Sequence, residues 1–167
     1  LTIYSSIQEA IDAAPEGGKV HVGPGNYNEV LTVNKPLSLI GAGAGEAIID
    51  GTGLSSDTVL TATGIASGEL NISGFTIQGY PDTPHEKKNV HLVKISGCIT
   101  PAEVNFTGNK LIGEGESDDD FGLIAGYNGT CAIVINHNEF YNIGGNNILL
   151  ERATGPVEVG YNEFELP

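Results

Sequence analysis

The side chains of this chain that could do chemistry sit in two inserted loops and at a few isolated cations. The segment Gly79-Tyr-Pro-Asp-Thr-Pro-His-Glu-Lys-Lys88 places Tyr80 five residues before His85. An imidazole titrates near neutrality and so suits proton transfer. The segment Gly113-Glu-Gly-Glu-Ser-Asp-Asp-Asp120 carries five carboxylates in eight residues. Carboxylate oxygens are hard ligands that suit Ca²⁺, and Asp118, Asp119 and Asp120 are its expected ligands, although EF-hand spacing is absent. Arg152 is the single arginine, with Lys94 and Lys110 as the other central cations. Tyr27, Tyr80, Tyr127, Tyr141 and Tyr161 offer rings that can stack on sugar faces. Phe75, Phe106, Phe140 and Phe164 recur beside a common turn and are expected in the core. No Gly-x-Ser-x-Gly nucleophile elbow is present.

Length and charge narrow the partners. The 167 residues suit one domain, and 40% are hydrophobic, enough for a core. The formal net charge is −14, from 21 acidic and 7 basic residues. That argues against nucleic acid, whose phosphates require Lys and Arg, and against anionic membrane surfaces. No apolar run approaches the roughly 20 residues that span a bilayer, so membrane insertion is not expected. The chain begins at Leu1 and reads as a mature form or a piece of something longer. Cys98 and Cys131 lack metal-ligand spacing and leave a disulfide and two buried thiols both open. Three sequons occur, at Asn71, Asn105 and Asn128. The first two fall in expected strands, whereas Asn128 lies in a Gly-rich turn.

The elements that must position these groups are short and repeated. Ser5–Ala14 places Ile7, Ala10, Ile11 and Ala14 on one helical face, with Ser5 or Ser6 as cap. Pro15 and Gly17-Gly18 end that helix. Thereafter short β-rich runs alternate with Gly, Asn, Asp and Pro, without another helix, which argues against a doubly wound α/β fold. The runs repeat as strand, Gly or Asn, second strand, at Gly41, Gly74, Asn109, Asn138 and Asn162. Spacings of 33, 35, 29 and 24 residues suit coils of one minimum length with loops of variable length. Asn and Gly tolerate a left-handed backbone, so at that point they are expected to turn the chain. Stacked coils then align Asn109, Asn138 and Asn162 into an amide ladder. His137 is expected to bond locally beside it.

The helix, then Lys19-Val-His-Val-Gly-Pro-Gly-Asn-Tyr27 and Leu31-Thr-Val-Asn-Lys-Pro-Leu-Ser-Leu-Ile-Gly41, resembles the N-terminal signature of the pectin-lyase-like superfamily. The resemblance implies an all-β, right-handed parallel β-helix of about six coils. Residues 1–18 would be the N-terminal cap helix and 19–167 the β-helix, a single domain of a longer protein. It also implies a site on the outer face of the first strand of each coil: here Asn89–Ser96, Phe121–Gly126 and Asn147–Ala153. In-register stacking is expected to put Lys94, Ala125 and Glu151 in one outward row. Lys94, Glu151 and Tyr127 are the candidate substrate-binding residues.

Pro84-His85-Glu86 with Tyr80 resembles part of the motif of alginate epimerases and related lyases, with Thr83 where that family has Asp. By that resemblance Tyr80, His85, Lys94 and Arg152 are the candidate catalytic groups of a Ca²⁺-assisted polyuronate lyase or uronate epimerase. No complete catalytic set is present, so the leading expectation is an extracellular or cell-surface module that recognises polysaccharide. A structural or adhesive spike segment is the third. The chain stops partway round a coil. A homo-oligomer or further chain is expected to cover that C-terminal end, because an open solenoid end exposes strand edges.

Overall fold

The computed structural model describes residues 2–79, 90–114 and 120–165, with backbone alone described at Val90 and Asp120. The one helix among them, α1 (Ile7–Ala13), starts where Ser6 Oγ accepts the Glu9 N–H at 3.2 Å. Glu29 reaches over from the first coil, and its carboxylate accepts the N–H groups of Ile7 and Gln8 at 2.9 and 3.1 Å. Lys35 Nζ donates to the carbonyls of Asp12 and Ala14 at the other end. An anion at the N-terminus and a cation at the C-terminus both complement the helix dipole. Ile7 and Ile11 are buried beneath it against the coils.

The strands follow in coils of three. The first coil holds β1 (Gly18–Val22), β2 (Gly25–Tyr27) and β3 (Leu31–Val33), and the second β4 (Leu37–Gly41), β5 (Ala47–Asp50) and β6 (Thr58–Thr63). The third holds β7 (Glu69–Ser73), β8 (Thr76–Gln78) and β9 (Val90–Ser96). The fourth holds β10 (Glu103–Thr107), β11 (Lys110–Ile112) and β12 (Asp120–Tyr127). The fifth holds β13 (Ala132–Asn136), β14 (Glu139–Tyr141) and β15 (Ile148–Leu150), and β16 (Val157–Gly160) and β17 (Glu163–Glu165) begin a sixth. Every third strand pairs in parallel, giving sheets β1-β4-β7-β10-β13-β16, β2-β5-β8-β11-β14-β17 and β3-β6-β9-β12-β15. Three parallel sheets wound as one solenoid make a parallel β-helix, the expected architecture.

Its core consists of rows running along the solenoid axis. Val20, Leu39, Ile72, Phe106 and Ile135 line up across the first sheet. Tyr27, Ile49, Ile77, Leu111 and Phe140 do so across the second. Alternation of buried and part-exposed residues along β10 and β13 is the period-2 signal that aims these rows inward. Each fully buried Ile, Leu or Phe contributes about 1.5–3 kcal/mol of transfer free energy. Phe75, Phe106 and Phe140 are fully buried as expected; Phe164, in the last row position, stacks on Phe140 at 5.2 Å but stays half-exposed.

The asparagine ladder forms, with one correction. Asn109, Asn138 and Asn162 each donate from Nδ2 to a carbonyl of the preceding coil, those of Ile72, Phe106 and Ile135, at 2.9, 2.9 and 2.7 Å. Their Oδ1 atoms accept the N–H of Phe75, Asn109 and Asn138 at 3.1, 3.0 and 2.9 Å. Gly74 is left-handed as expected, but at the three asparagines the left-handed residue is not the ladder residue but the one before it. Gly74, Gly108, His137 and Tyr161 have φ of 77°, 65°, 56° and 53°. The side-chain amide must reach back to the previous coil, so the sharp bend falls on its predecessor. His137 and Tyr161 accept this disfavoured backbone side by side, and their rings stack at 5.1 Å.

Cys98 and Cys131 are joined in a disulfide that ties the turn after β9 to the turn after β12.

Candidate functional site

The third sheet carries the candidate site. On its outer face Lys94 stands opposite Thr61 on one side and Ile124 on the other, with Leu149 next. In the expected row Lys94–Ala125–Glu151, Ala125 is therefore one residue past the true partner Ile124 and Glu151 two residues past Leu149. Ala125 lies in the row Ile95–Ala125–Leu150 and is fully buried. A slip of one residue exchanges the faces of a strand, and the observed strand starts, Val90, Asp120 and Ile148, are not those expected.

A bulge then repairs the geometry. Between Ala125 and Tyr127 the register shifts, so that Tyr127 lies opposite Ser96. Without the extra residue Tyr127 would follow Leu123 and Ala125 inward. Gly126, at φ 87°, is that extra residue, and a Cβ there would collide with Ala153. Tyr127 thus reaches the outer face, where Lys94 Nζ lies 5.1 Å from its ring centroid.

Arg152 arrives from the next coil. Glu151 N–H donates to the Ala125 carbonyl at 3.1 Å, carrying the ladder one residue past β15. Arg152 then adopts φ 54° and ends the strand. Its guanidinium carbon lies 5.5 Å from the same Tyr127 centroid, and its Nε is 3.9 Å from Glu151 Oε1. Four of the expected binding and catalytic residues, Lys94, Tyr127, Glu151 and Arg152, are therefore brought together. Two cations on one ring repel each other, and ring attraction of about 0.5–1 kcal/mol each at exposed sites helps hold them. A long contact to a single carboxylate leaves that charge largely available to an outside anion.

The remaining expected residues are not part of this cluster. Tyr80 and His85 lie outside the described residues, as do Asp118 and Asp119; Asp120 opens β12, its backbone opposite Val90. Among the described residues no three His, Cys, Asp or Glu side chains gather as a metal site. Lys110 pairs instead with Glu139 at 3.2 Å on the second sheet. A cleft of about 700 Å³ lies at the far end of the molecule, between α1 and β1.

His91 was missed by sequence reasoning. It sits in row with Thr58 and Phe121, buried, with its ring stacked on Phe121 at 5.4 Å. Among the described residues its Nδ1 has no hydrogen-bond partner. The signal available was a histidine inside the apolar run Val90–Ile95. Burial holds its pKa below the usual 6.5, and the charge of Lys94 pushes the same way against Asp57 and Glu151. As pH falls through 6.5 the unfolded chain takes up a proton before the folded one does. Stability from this site is complete above that pH and drains as pH drops toward the lowered folded value. His91→Phe, which keeps a ring on Phe121, is expected to flatten this slope in urea unfolding at neutral and mildly acid pH. An unchanged slope would refute the assignment.

No family model matches the chain. Over 97 residues it is 34% identical to a cell surface glycoprotein of Methanothermus fervidus, a stretch covering 57% of this chain and 14% of that protein. Among solved structures it is similar to a pectin methylesterase from Yersinia enterocolitica, at 14% identity and TM-score 0.47 over 82% of this chain and 54% of that one. It is also similar to a pectin methylesterase from carrot, at 18% identity and TM-score 0.48 over 83% and 49%. The chain thus spans about a seventh of that curated relative and about half of each of these structures.

Proposed function

We propose that this chain is a cell-surface module that recognises acidic polysaccharide through the outer face of its third sheet. The observation that carries the reading is the convergence of Lys94 and Arg152 on the Tyr127 ring. In a chain with 7 basic against 21 acidic residues, two cations meeting on one aromatic ring need a reason. Cations can hold uronate carboxylates, and the phenol offers both a hydroxyl and an apolar edge to sugar rings. The disulfide suits an oxidising compartment outside the cytosol, and the similarity to a cell surface glycoprotein points the same way.

Binding to immobilised polygalacturonate, alginate and a neutral glycan tests this, with and without Ca²⁺. Lys94→Ala and Arg152→Ala are each expected to weaken binding to an acidic polymer about tenfold, roughly 1.4 kcal/mol. The neutral glycan should not respond. Equal binding by wild type and both variants, or no binding to either acidic polymer, would overturn the reading. Proton NMR of the incubated polymers completes the test. New unsaturated or epimerised uronate signals would replace recognition with lyase or epimerase chemistry.

A further inference from the structure

We infer that Asn128 is a site of N-linked glycosylation, and that the chain's other two sequons are not. All three share the Asn-x-Ser/Thr pattern, and the sequence already sets Asn128, in a Gly-rich turn, apart from the two in expected strands. Their surroundings in the fold separate them further. Asn71 lies in the middle of β7 and Asn105 in the middle of β10, each with parallel partners on both sides. Their backbones are thus held by neighbouring strands, and their amides serve a second ladder. Asn105 Nδ2 donates to Asn71 Oδ1 at 3.1 Å, and Asn71 Nδ2 lies 3.5 Å from Ser38 Oγ. A transferase would have to strip the sequon from the sheet to reach either nitrogen.

Asn128 differs in lying outside any strand and outside that amide ladder, although Gly129 and Thr130 of its sequon are bonded to the neighbouring turns. It is exposed, at φ 55°, in a turn closed by the Gly129 N–H donating to the Gly126 carbonyl at 2.8 Å. Asparagine is one of the few non-glycine residues that tolerate this backbone, so the turn keeps it at the tip. No described residue bonds its side-chain amide. Thr130, also exposed, completes the sequon, and the next residue is Cys131 of the disulfide. The sequon therefore projects from a covalently braced turn. A disulfide also marks export through an oxidising compartment.

The step requires a lipid-phosphate-linked oligosaccharide and its transferase. The Asn128 Nδ2 attacks the anomeric carbon, and the C–O bond to the phosphate breaks. The lipid phosphate leaves with the bonding electrons, and Nδ2 gives up one proton to a base of the transferase.

The full chain, exported by a host that glycosylates a control protein in the same culture, should carry one glycan. Peptide mass spectrometry should place it on the peptide containing Asn128. Asn128→Gln should abolish essentially all of the glycosylated form, while Thr130→Ser should retain it. An unmodified Asn128 in disulfide-bonded exported protein would overturn the inference. So would a glycan on Asn71 or Asn105 in its place.

Discussion

Asn138→Leu is expected to lower the unfolding free energy by about 3–5 kcal/mol, which for a chain of this size shifts Tm by roughly 10 °C. Asn138 is fully buried, and its amide makes four hydrogen bonds. Oδ1 accepts from Asn109 N and Nδ2, at 3.0 and 3.4 Å. Nδ2 donates to the Phe106 carbonyl and to Asn162 Oδ1, at 2.9 and 3.0 Å. Leucine keeps the branched shape, though it is larger, and supplies none of these bonds. The Asn109 N–H and the Phe106 carbonyl then remain buried and unpaired, at about 1–3 kcal/mol each. Asn138→Asp should also destabilise strongly, because a carboxylate would face the Phe106 carbonyl and Asn162 Oδ1. Ser38→Ala, at the edge of the outer ladder on the first sheet, should change stability by less than about 0.5 kcal/mol. Urea unfolding of the three variants decides. A loss below about 1 kcal/mol for Asn138→Leu would show that the ladder is not a main support of the solenoid.

Removing the disulfide comes next in size. The double variant Cys98→Ala, Cys131→Ala is expected to lose about 3–4 kcal/mol, the entropy of closing a loop across a sequence separation of 33. Both sulfurs are buried in the core cluster, so their loss also leaves unfilled volume. The bond acts where stacked turns already help one another. Thr130 N–H donates to the Cys98 carbonyl at 2.9 Å, and Thr154 N–H to the Gly129 carbonyl at 3.2 Å. Reductant added to the wild type during urea unfolding should reproduce most of the shift seen in the double variant. No change under reductant, once thiol titration shows the bond to be open, would contradict the expected contribution.

The candidate site was only partly legible beforehand. Lys94, Tyr127, Glu151 and Arg152 were each singled out, by charge or ring type and by the resemblance. Their convergence on one ring was not foreseen, because it depends on the bulge at Gly126 and the left-handed turn at Arg152. The row predicted for Lys94 failed by one residue at buried Ala125, where Ile124 belongs, and by two at Glu151, where Leu149 belongs. Pairing Cys98 with Cys131 was left open by spacing and was decided when the coils stacked their turns.

What this sequence determined by itself was what its residues do locally. Ser6 caps a helix, alternating Val, Ile and Leu make strands with one inward face, and an Asn at each turn marks the coil. These follow from backbone propensity and side-chain period, which neighbours in the chain set between them. Only the tertiary structure decided which outward residues share a row, which face Tyr127 occupies, that His91 is buried with no partner for Nδ1 among the described residues, and that Asn128 is exposed. Each depends on register between strands about thirty residues apart. That register is set by loop length and bulges, and a single added residue reverses the face a side chain presents.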